Sequence, residues 1–248
     1  MDRVRPSLVV VDVSVEVSLL VRLAGSPLVV VALPGRRQDR AHRTAYDAAE
    51  TLLAPWPEQT HATDWPVEWR KKVRCVGGIS QFDGRAAPDV RRRPGQVLLL
   101  WGGGGHGTTR GEIEAAQRAT RGWTWLERSP DRPSADLWRE LHESDVVVTH
   151  GGQNAVADVA ASRTPAVVVA QDRPFDEQGA TARAVDRLGA AVGVERWPSS
   201  GEWPDLLERA RAQGGSGWSR WSTGHGADAA ARVLDTMAAE PWRAQDIE

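Results

Sequence analysis

The chain has 248 residues, and its 31 Lys and Arg against 33 Asp and Glu leave a formal charge of −2. Hydrophobic residues make up 41% and charged residues 26%, the balance of a soluble globular protein long enough for one large domain or two smaller ones. Near-neutral charge excludes a general electrostatic grip on nucleic acid. A single cysteine, Cys75, excludes an intrachain disulfide and any multi-cysteine zinc or iron–sulfur site. The apolar stretch from Leu8 to Leu23 is broken by Asp12, Glu16 and Arg22, so it reads as neither signal peptide nor transmembrane segment, and the expected compartment is the cytoplasm. Only Lys71 and Lys72 are lysines, a compositional bias of the source genome, and the lone asparagine, Asn154, draws attention to its position.

Short β-branched runs alternate with Ala-rich amphipathic segments, the pattern of an α/β architecture with parallel sheet. Leu8–Asp12 reads as a buried strand, Val15–Leu23 as a helix and Pro27–Leu33 as the next strand, closed by the turn Pro34-Gly35. Thr44–Leu53 is expected to be helical. Pro55, Pro57 and Pro66 then break the chain into loop, and Val73–Val76 reads as one more strand. The pattern implies a partial N-terminal domain of two or three strands over 1–80 and a polar, Arg- and Pro-rich linker over 81–95. From 96 to 248 the alternation restarts with greater regularity. Strands are expected at Val97–Trp101, Trp123–Glu127, Asp145–Thr149, Ala166–Ala170 and Ala191–Val194. Helices are expected at Arg110–Arg121, Ala135–Glu143, Gln153–Ser162 and Glu177–Leu188, with two more near Trp203–Ala212 and Gly226–Ala239. Five strands with intervening helices make one complete doubly wound, Rossmann-like domain. The first 80 residues resemble the back half of another.

Three turns carry candidate chemistry. Gly102, Gly103, Gly104 and Gly105 sit between a strand and a helix, where bare backbone N–H groups can approach a phosphate and the helix dipole favours an anion. The run also fits G-x-G-x-x-G on Gly102, Gly104 and Gly107 with Glu127 at the end of the next strand, the mark of a dinucleotide site, although four glycines satisfy many patterns. A merely tight turn is the plainer alternative, and no lysine follows to support a P-loop. The second turn is His150-Gly151-Gly152-Gln153-Asn154, with Asp158 one helical turn beyond Asn154. An imidazole beside a helix N-terminus can hold a diphosphate, and a carboxylate on the first helical turns can accept from ribose hydroxyls; alternatively Asn154 is a cap and His150 a surface histidine. The third is the polar loop ending in Asp176-Glu177-Gln178, suited to sugar hydroxyls or, more plainly, to capping the next helix through Asp176.

His150-Gly151-Gly152-Gln153-Asn154, Asp158, Pro165 and Phe175-Asp176-Glu177-Gln178 together resemble the donor-binding half of GT-B nucleotide-sugar glycosyltransferases. The likeness is to the family 28 C-terminal domain of undecaprenyl-pyrophosphoryl-muramoyl-pentapeptide N-acetylglucosaminyltransferases and of UDP-glycosyltransferases more broadly. It covers about 95–240 and extends more faintly over Leu8–Pro57. The resemblance implies that His150 to Gly152 meet the diphosphate, that Asp158 (Asp where Glu is usual) holds the ribose, and that Glu177 with Gln178 contacts the donor sugar. It implies a GT-B-like chain with one complete donor domain preceded by the back half of a truncated one. It also implies a UDP-sugar as substrate and no metal or other cofactor, since no Asp-x-Asp motif calls for a cation.

Such enzymes use two full Rossmann-like domains. The catalytic base is therefore unassigned: Asp12 and Glu16 face the expected cleft, but Glu16 suits the helix start better. The acceptor is unknown, and the missing strands imply an exposed sheet edge, with self-association or a partner polypeptide to cover it. Arg91-Arg92-Arg93 reads as solvated linker, with peripheral contact to a polyprenyl-phosphate membrane surface as the alternative. The twelve tryptophans are scattered and suit packing more than ladder-like stacking. Two further readings stand beside glycosyl transfer: a nucleotide-sugar-binding module without turnover, and a Rossmann oxidoreductase using the Gly102–Gly107 turn.

Overall fold

The computed structural model describes residues 6–60, 65–103 and 107–239. The first sheet unit comprises β1 (Val9–Asp12), α1 (Val15–Leu23), β2 (Leu28–Val31), α2 (Arg40–Ala48), β3 (Thr51–Ala54), α3 (Val67–Lys72) and β4 (Val73–Cys75), with strand order β1-β2-β3-β4. The second comprises β5 (Arg93–Leu100), α4 (Arg110–Ala119), β6 (Thr124–Arg128), α5 (Leu137–Glu143), β7 (Ser144–His150), α6 (Gln153–Ser162), β8 (Ala166–Val169), α7 (Glu177–Arg187) and β9 (Val192–Val194), ordered β6-β5-β7-β8-β9. Two helices, α8 (Trp203–Gln213) and α9 (Gly226–Ala239), follow. Every strand pairing in both sheets is parallel. Parallel strands need cover on both faces, and the central runs Leu98–Leu100, Val146–Val148 and Val167–Val169 are accordingly apolar throughout and buried.

The helix expected over Thr44–Leu53 divides into two elements. Asp39 caps α2 by accepting from the Ala41 and His42 amides, so the helix starts earlier, and Ala49 turns to extended backbone. Thr51–Ala54 is then a fully buried strand, so the first unit holds four strands instead of two or three. Leu52 and Leu53 belong to an apolar run too short for periodicity to separate strand from helix, and burial on both faces decided it. Side-chain caps fix other starts: Ser14 caps α1, and Thr109 with Glu112 forms a reciprocal capping box on α4.

Residues 81–95 are bound to the second unit. Phe82 is buried with its ring 4.8 Å from that of Trp138, the Trp138 indole donates to the Ala86 carbonyl, and Arg93 already begins β5 and pairs with Glu143 at 2.9 Å. Most of the tryptophans within the described residues pack in cores, with Trp69, Trp203 and Trp218 fully buried.

The chain finally returns to its beginning. Ala230 on α9 is buried against Val29, Leu53 and Val76 of the first sheet, with Val233, Leu234 and Met237 packed beside it. This crossing is stapled where the Gly78 amide donates to the Trp221 carbonyl and the Ala227 amide to Asp83. One helix of the second unit thus supplies cover for the first sheet, and the units depend on each other for burial. Ala230→Asp places a carboxylate in that seam and is expected to lower unfolding stability by about 2–4 kcal/mol, read by chemical denaturation.

Candidate functional site

The ends of β5, β7 and β8 share one edge of the second sheet. Leu100 lies opposite Thr149, and His150 opposite Val169, so the turns beginning at Gly102, Gly151 and Gln171 emerge side by side. Open α/β sheets bind ligands along this carboxyl edge.

His150 is wedged between two of these turns. Its Nε2 lies 2.9 Å from the Gly102 amide nitrogen and its Nδ1 3.0 Å from that of Gly152. The glycines make room for the ring. A Cβ at 102 would come within 2.5 Å of Nε2, and one at 152 within 2.4 Å of Cε1. Gly151 serves a different neighbour, since its Cβ would meet the Gln178 carbonyl oxygen at 2.7 Å. A neutral imidazole accepts at one nitrogen only. One of the two glycine amides therefore faces a ring N–H, and an oxygen anion placed there would accept from both.

Around the ring, each residue singled out from sequence has a definite place. Gly103 lies in the turn after β5, and a Cβ there would meet nothing within 4 Å; Gly104 and Gly105 fall outside the described residues. Gly152 occupies the N-cap of α6 and has no side chain to satisfy the first amides, so these face the edge. Gln153 opens the helix with a buried Nε2 that has no partner among the described residues. Asn154 is exposed on the first turn and is not the cap.

Asp158 is engaged by residues 80–81. It is buried, its two oxygens accept from Ser80 Oγ and Gln81 Nε2, each at 2.7 Å, and burial pushes its carboxyl above the ordinary value despite these bonds. Asn154 and Asp158 are one turn apart, yet one is exposed and the other tied to residues 80–81.

The third turn is also committed within the protein. Gln178 is buried, and its Oε1 accepts from the Gly151 and Gln171 amides at 3.2 and 3.1 Å, tying the β7 turn to the β8 turn. Asp176 pairs with Arg183 at 2.5 Å. Glu177 reaches across to the first unit, where the buried Arg37 donates to it at 2.7 Å. Arg37 also lies 4.4 Å over the Phe175 ring, and the Arg36 amide donates to the Phe175 carbonyl at 2.7 Å. Phe175 and Asp176 both carry left-handed backbone, with φ of 63° and 56°. Gly35 permits the approach, because any Cβ there would sit 2.3 Å from that carbonyl.

Beside the glycine turn, β5 and β6 end at a cleft of about 620 Å³ walled by Gln81, Phe82, Trp101, Arg128 and Trp138. Sequence reasoning singled out none of these residues, nor Arg37 or Ser80. They come from residues 80–82, the ends of β5 and β6, helix α5 and the turn after β2, none with a motif of its own.

Other candidates fall elsewhere. Glu127 lies on β6 as expected, but its carboxylate is held by Arg110 at 2.8 Å and Arg132 at 3.4 Å, leaving less for the ribose that a dinucleotide reading requires. Asp12 is exposed at the end of β1. Glu16 is exposed too, and its backbone amide and the Ser14 hydroxyl hold its carboxyl below the ordinary value, in keeping with a role at the helix start. Burial pushes the Cys75 thiol up to about 12, which makes it a poor nucleophile. Among the described residues no group of three His, Cys, Asp or Glu side chains gathers as a metal site, and no helix is long and apolar enough to cross a membrane.

Residues 135–203, from α5 through β9 and including every side chain from His150 to Gln178, match the glycosyltransferase family 28 C-terminal domain. Over those residues the chain is similar to that domain, and its fold is GT-B. Among curated proteins it is 26% identical over 150 residues to the UDP-N-acetylglucosamine–N-acetylmuramyl-(pentapeptide) pyrophosphoryl-undecaprenol N-acetylglucosamine transferase of Photorhabdus laumondii. That match covers 59% of this chain and spans only 40% of the relative's length. Among solved structures it is similar to the spinosyn rhamnosyltransferase SpnG complexed with thymidine diphosphate, at TM-score 0.60 and 18% identity, covering 97% of this chain and 71% of that one. It is likewise similar to Acinetobacter baumannii MurG, at TM-score 0.58 and 16% identity, over 88% and 69% of the two chains.

Two outcomes follow for this GT-B chain. Gly152→Ala drives a methyl into the imidazole and should cost about 1–3 kcal/mol of stability, measured by urea unfolding. Asp158 titrates higher folded than unfolded, so the stability tied to its protonated form is full below the ordinary value of 3.8 and is lost as pH rises through the folded value. Relative to Asp158→Asn, the native chain should therefore gain stability between about pH 7 and about pH 4, as paired denaturation curves would record.

Proposed function

We propose that this chain binds a nucleoside-diphosphate sugar, a UDP-sugar in the first instance, and serves as the donor side of a glycosyltransferase. The observation that carries this reading is the His150 imidazole held between the Gly102 and Gly152 amides, at the uncapped start of α6. Backbone N–H groups, a helix N-terminus and a ring nitrogen converge where a diphosphate can accept from all three, with no metal needed to neutralise it. The cleft of about 620 Å³ walled by Phe82, Trp101 and Trp138 has room for a nucleobase beside the turn that would meet the phosphates. Glu177 would exchange Arg37 for a hydroxyl of the donor sugar. Gln178 would act at one remove, holding Gly151 in place. Asp158 would reach a ribose only by releasing Ser80 or Gln81. Acceptor binding would fall to the first unit and to polypeptide docked on it, and no described carboxylate or histidine is assigned as the base.

A nucleotide-sugar-binding role without turnover is the second reading, favoured by the engagement of Asp158, Asp176, Glu177 and Gln178 within the protein. Thermal unfolding separates both readings from dinucleotide binding. UDP or thymidine diphosphate at about a hundredfold excess over its dissociation constant should add about 2.7 kcal/mol of stability, whereas NAD and NADP should add none. His150→Ala should weaken UDP binding by about 1–3 kcal/mol in calorimetry while the chain stays folded. Unchanged affinity would remove the assigned role. Release of UDP from a UDP-sugar on adding candidate acceptors distinguishes transfer from binding alone.

A further inference from the structure

Arg37, on the turn after β2, is the one basic side chain that is buried among the described residues, with 4% of it exposed. Its contacts fix the guanidinium plane. The central carbon lies 4.4 Å over the Phe175 ring, Nη1 is 3.3 Å from His42 Nε2, and Nη2 donates to Glu177 Oε2 at 2.7 Å. His42 is itself held, with its Nδ1 2.6 Å from Asp39 Oδ2. Arg37 Nε is buried and has no partner among the described residues.

That unpartnered donor has a direction. On any guanidinium the Nε–H and one N–H of Nη2 point to the same side, as a fork matched to the two oxygens of one carboxylate. Glu177 fills one tooth with one oxygen, and the other tooth is empty. Burying a donor without an acceptor costs stability, and a ligand that fills it recovers that cost on binding. The fork also adjoins the proposed donor site, since Glu177 precedes Gln178, whose Oε1 accepts from the Gly151 amide next to His150. Glu177 is the more open of the pair, its side chain 26% exposed, so the guanidinium is approached from the Glu177 side. Neighbouring arginines offer no such fork: Arg36 is exposed, and Arg183 pairs with Asp176 and Glu195.

When Glu177 leaves Arg37 for a hydroxyl of the donor sugar, the chemistry of that sugar decides what becomes of the guanidinium. A neutral sugar leaves a buried cation with no counter-charge and with both teeth of the fork empty, which is strongly unfavourable. A sugar carrying a carboxylate restores the charge and fills both teeth with charge-assisted bonds. We infer that the donor is a nucleoside-diphosphate uronic acid whose carboxylate binds the Nε–Nη2 fork of Arg37. Glu177 occupies part of the place that this carboxylate takes. The inference rests on the donor role proposed above and goes beyond it by fixing the class of sugar.

Calorimetry of the full chain tests it with UDP, UDP-glucose and UDP-glucuronate, and with UDP-galactose and UDP-galacturonate. Within each pair of sugars a CH2OH group is replaced by a carboxylate, while UDP alone reports on the diphosphate site. One uronate at least should bind about tenfold or more tighter than its neutral counterpart. Arg37→Gln should erase that preference and leave the affinity for UDP unchanged. Glu177→Gln removes the competing carboxylate and should widen the preference, and it keeps the test decisive if thermal unfolding shows that the Arg37 variant does not fold. Equal or weaker binding of both uronates, a preference that persists in Arg37→Gln, or one that narrows in Glu177→Gln would each overturn the assignment. So would loss of UDP affinity in a folded Arg37→Gln chain, because the fork would then belong to the diphosphate. In each of these results UDP still binds the native chain. Failure of UDP and of all four sugars to bind it would overturn the donor role itself, and the uronate assignment with it.

Discussion

Leu100 lies opposite Thr149 across the β5–β7 pair, and the features at the carboxyl edge of the second sheet inherit their positions from that register. A strand slipped by one residue would turn His150 to the other face of the sheet and take its ring out of the gap between Gly102 and Gly152. The apolar side chains of β5 and β7 resist such a slip because both faces are buried, and Thr149 adds a bond from its hydroxyl to the Leu100 carbonyl. Core packing thus sets the geometry of a polar site some residues away. The glycines are the corollary. They stand where the register brings backbone and imidazole closer than a Cβ allows.

The second organising fact is how the two units are held together. Three kinds of contact do it: the apolar seam under α9, the Ser80 and Gln81 bonds to Asp158, and the Arg37–Glu177 pair stacked on Phe175. The seam supplies the non-directional burial. The two polar contacts are directional, and an ion pair with Arg37 buried gains little net stability for the desolvation it requires, so its effect falls on orientation more than on stability. Both polar contacts use residues at or next to the proposed donor site. A ligand that drew Glu177 or Asp158 toward itself would have to loosen a tie between the units, which couples occupancy of the site to their mutual orientation.

Much of this was readable beforehand. The alternation of strands and helices after residue 96 followed from apolar runs bounded by glycine, and α1, α6 and α9 began and ended where the sequence signals placed them. The His-Gly-Gly turn could be recognised because its residue types are unusual together at the end of a buried strand. The Thr44–Leu53 segment could not be read correctly, since Leu52 and Leu53 are apolar in either conformation and only their burial between helices made them a strand. Asp158 shows the limit for the site. Its spacing from His150 is fixed by the helix, but its partners come from residues 80–81, at a sequence distance of more than 70 positions.

Sequence by itself determined what local rules govern: the alternation of helices and strands after residue 96, where several caps and glycine turns fall, and that three such turns follow parallel strands. These depend on neighbours a few residues apart, whose chemistry is written consecutively. Tertiary structure alone decided which polar groups remain open and which are already taken. Arg37 found Glu177, Gln178 found two turns at once, and α9 folded back over the first sheet because burial of apolar surface rewards any chain segment that reaches it, regardless of its distance in sequence. Local patterns encode no such long-range choice, since it is made by what the folded surface leaves uncovered.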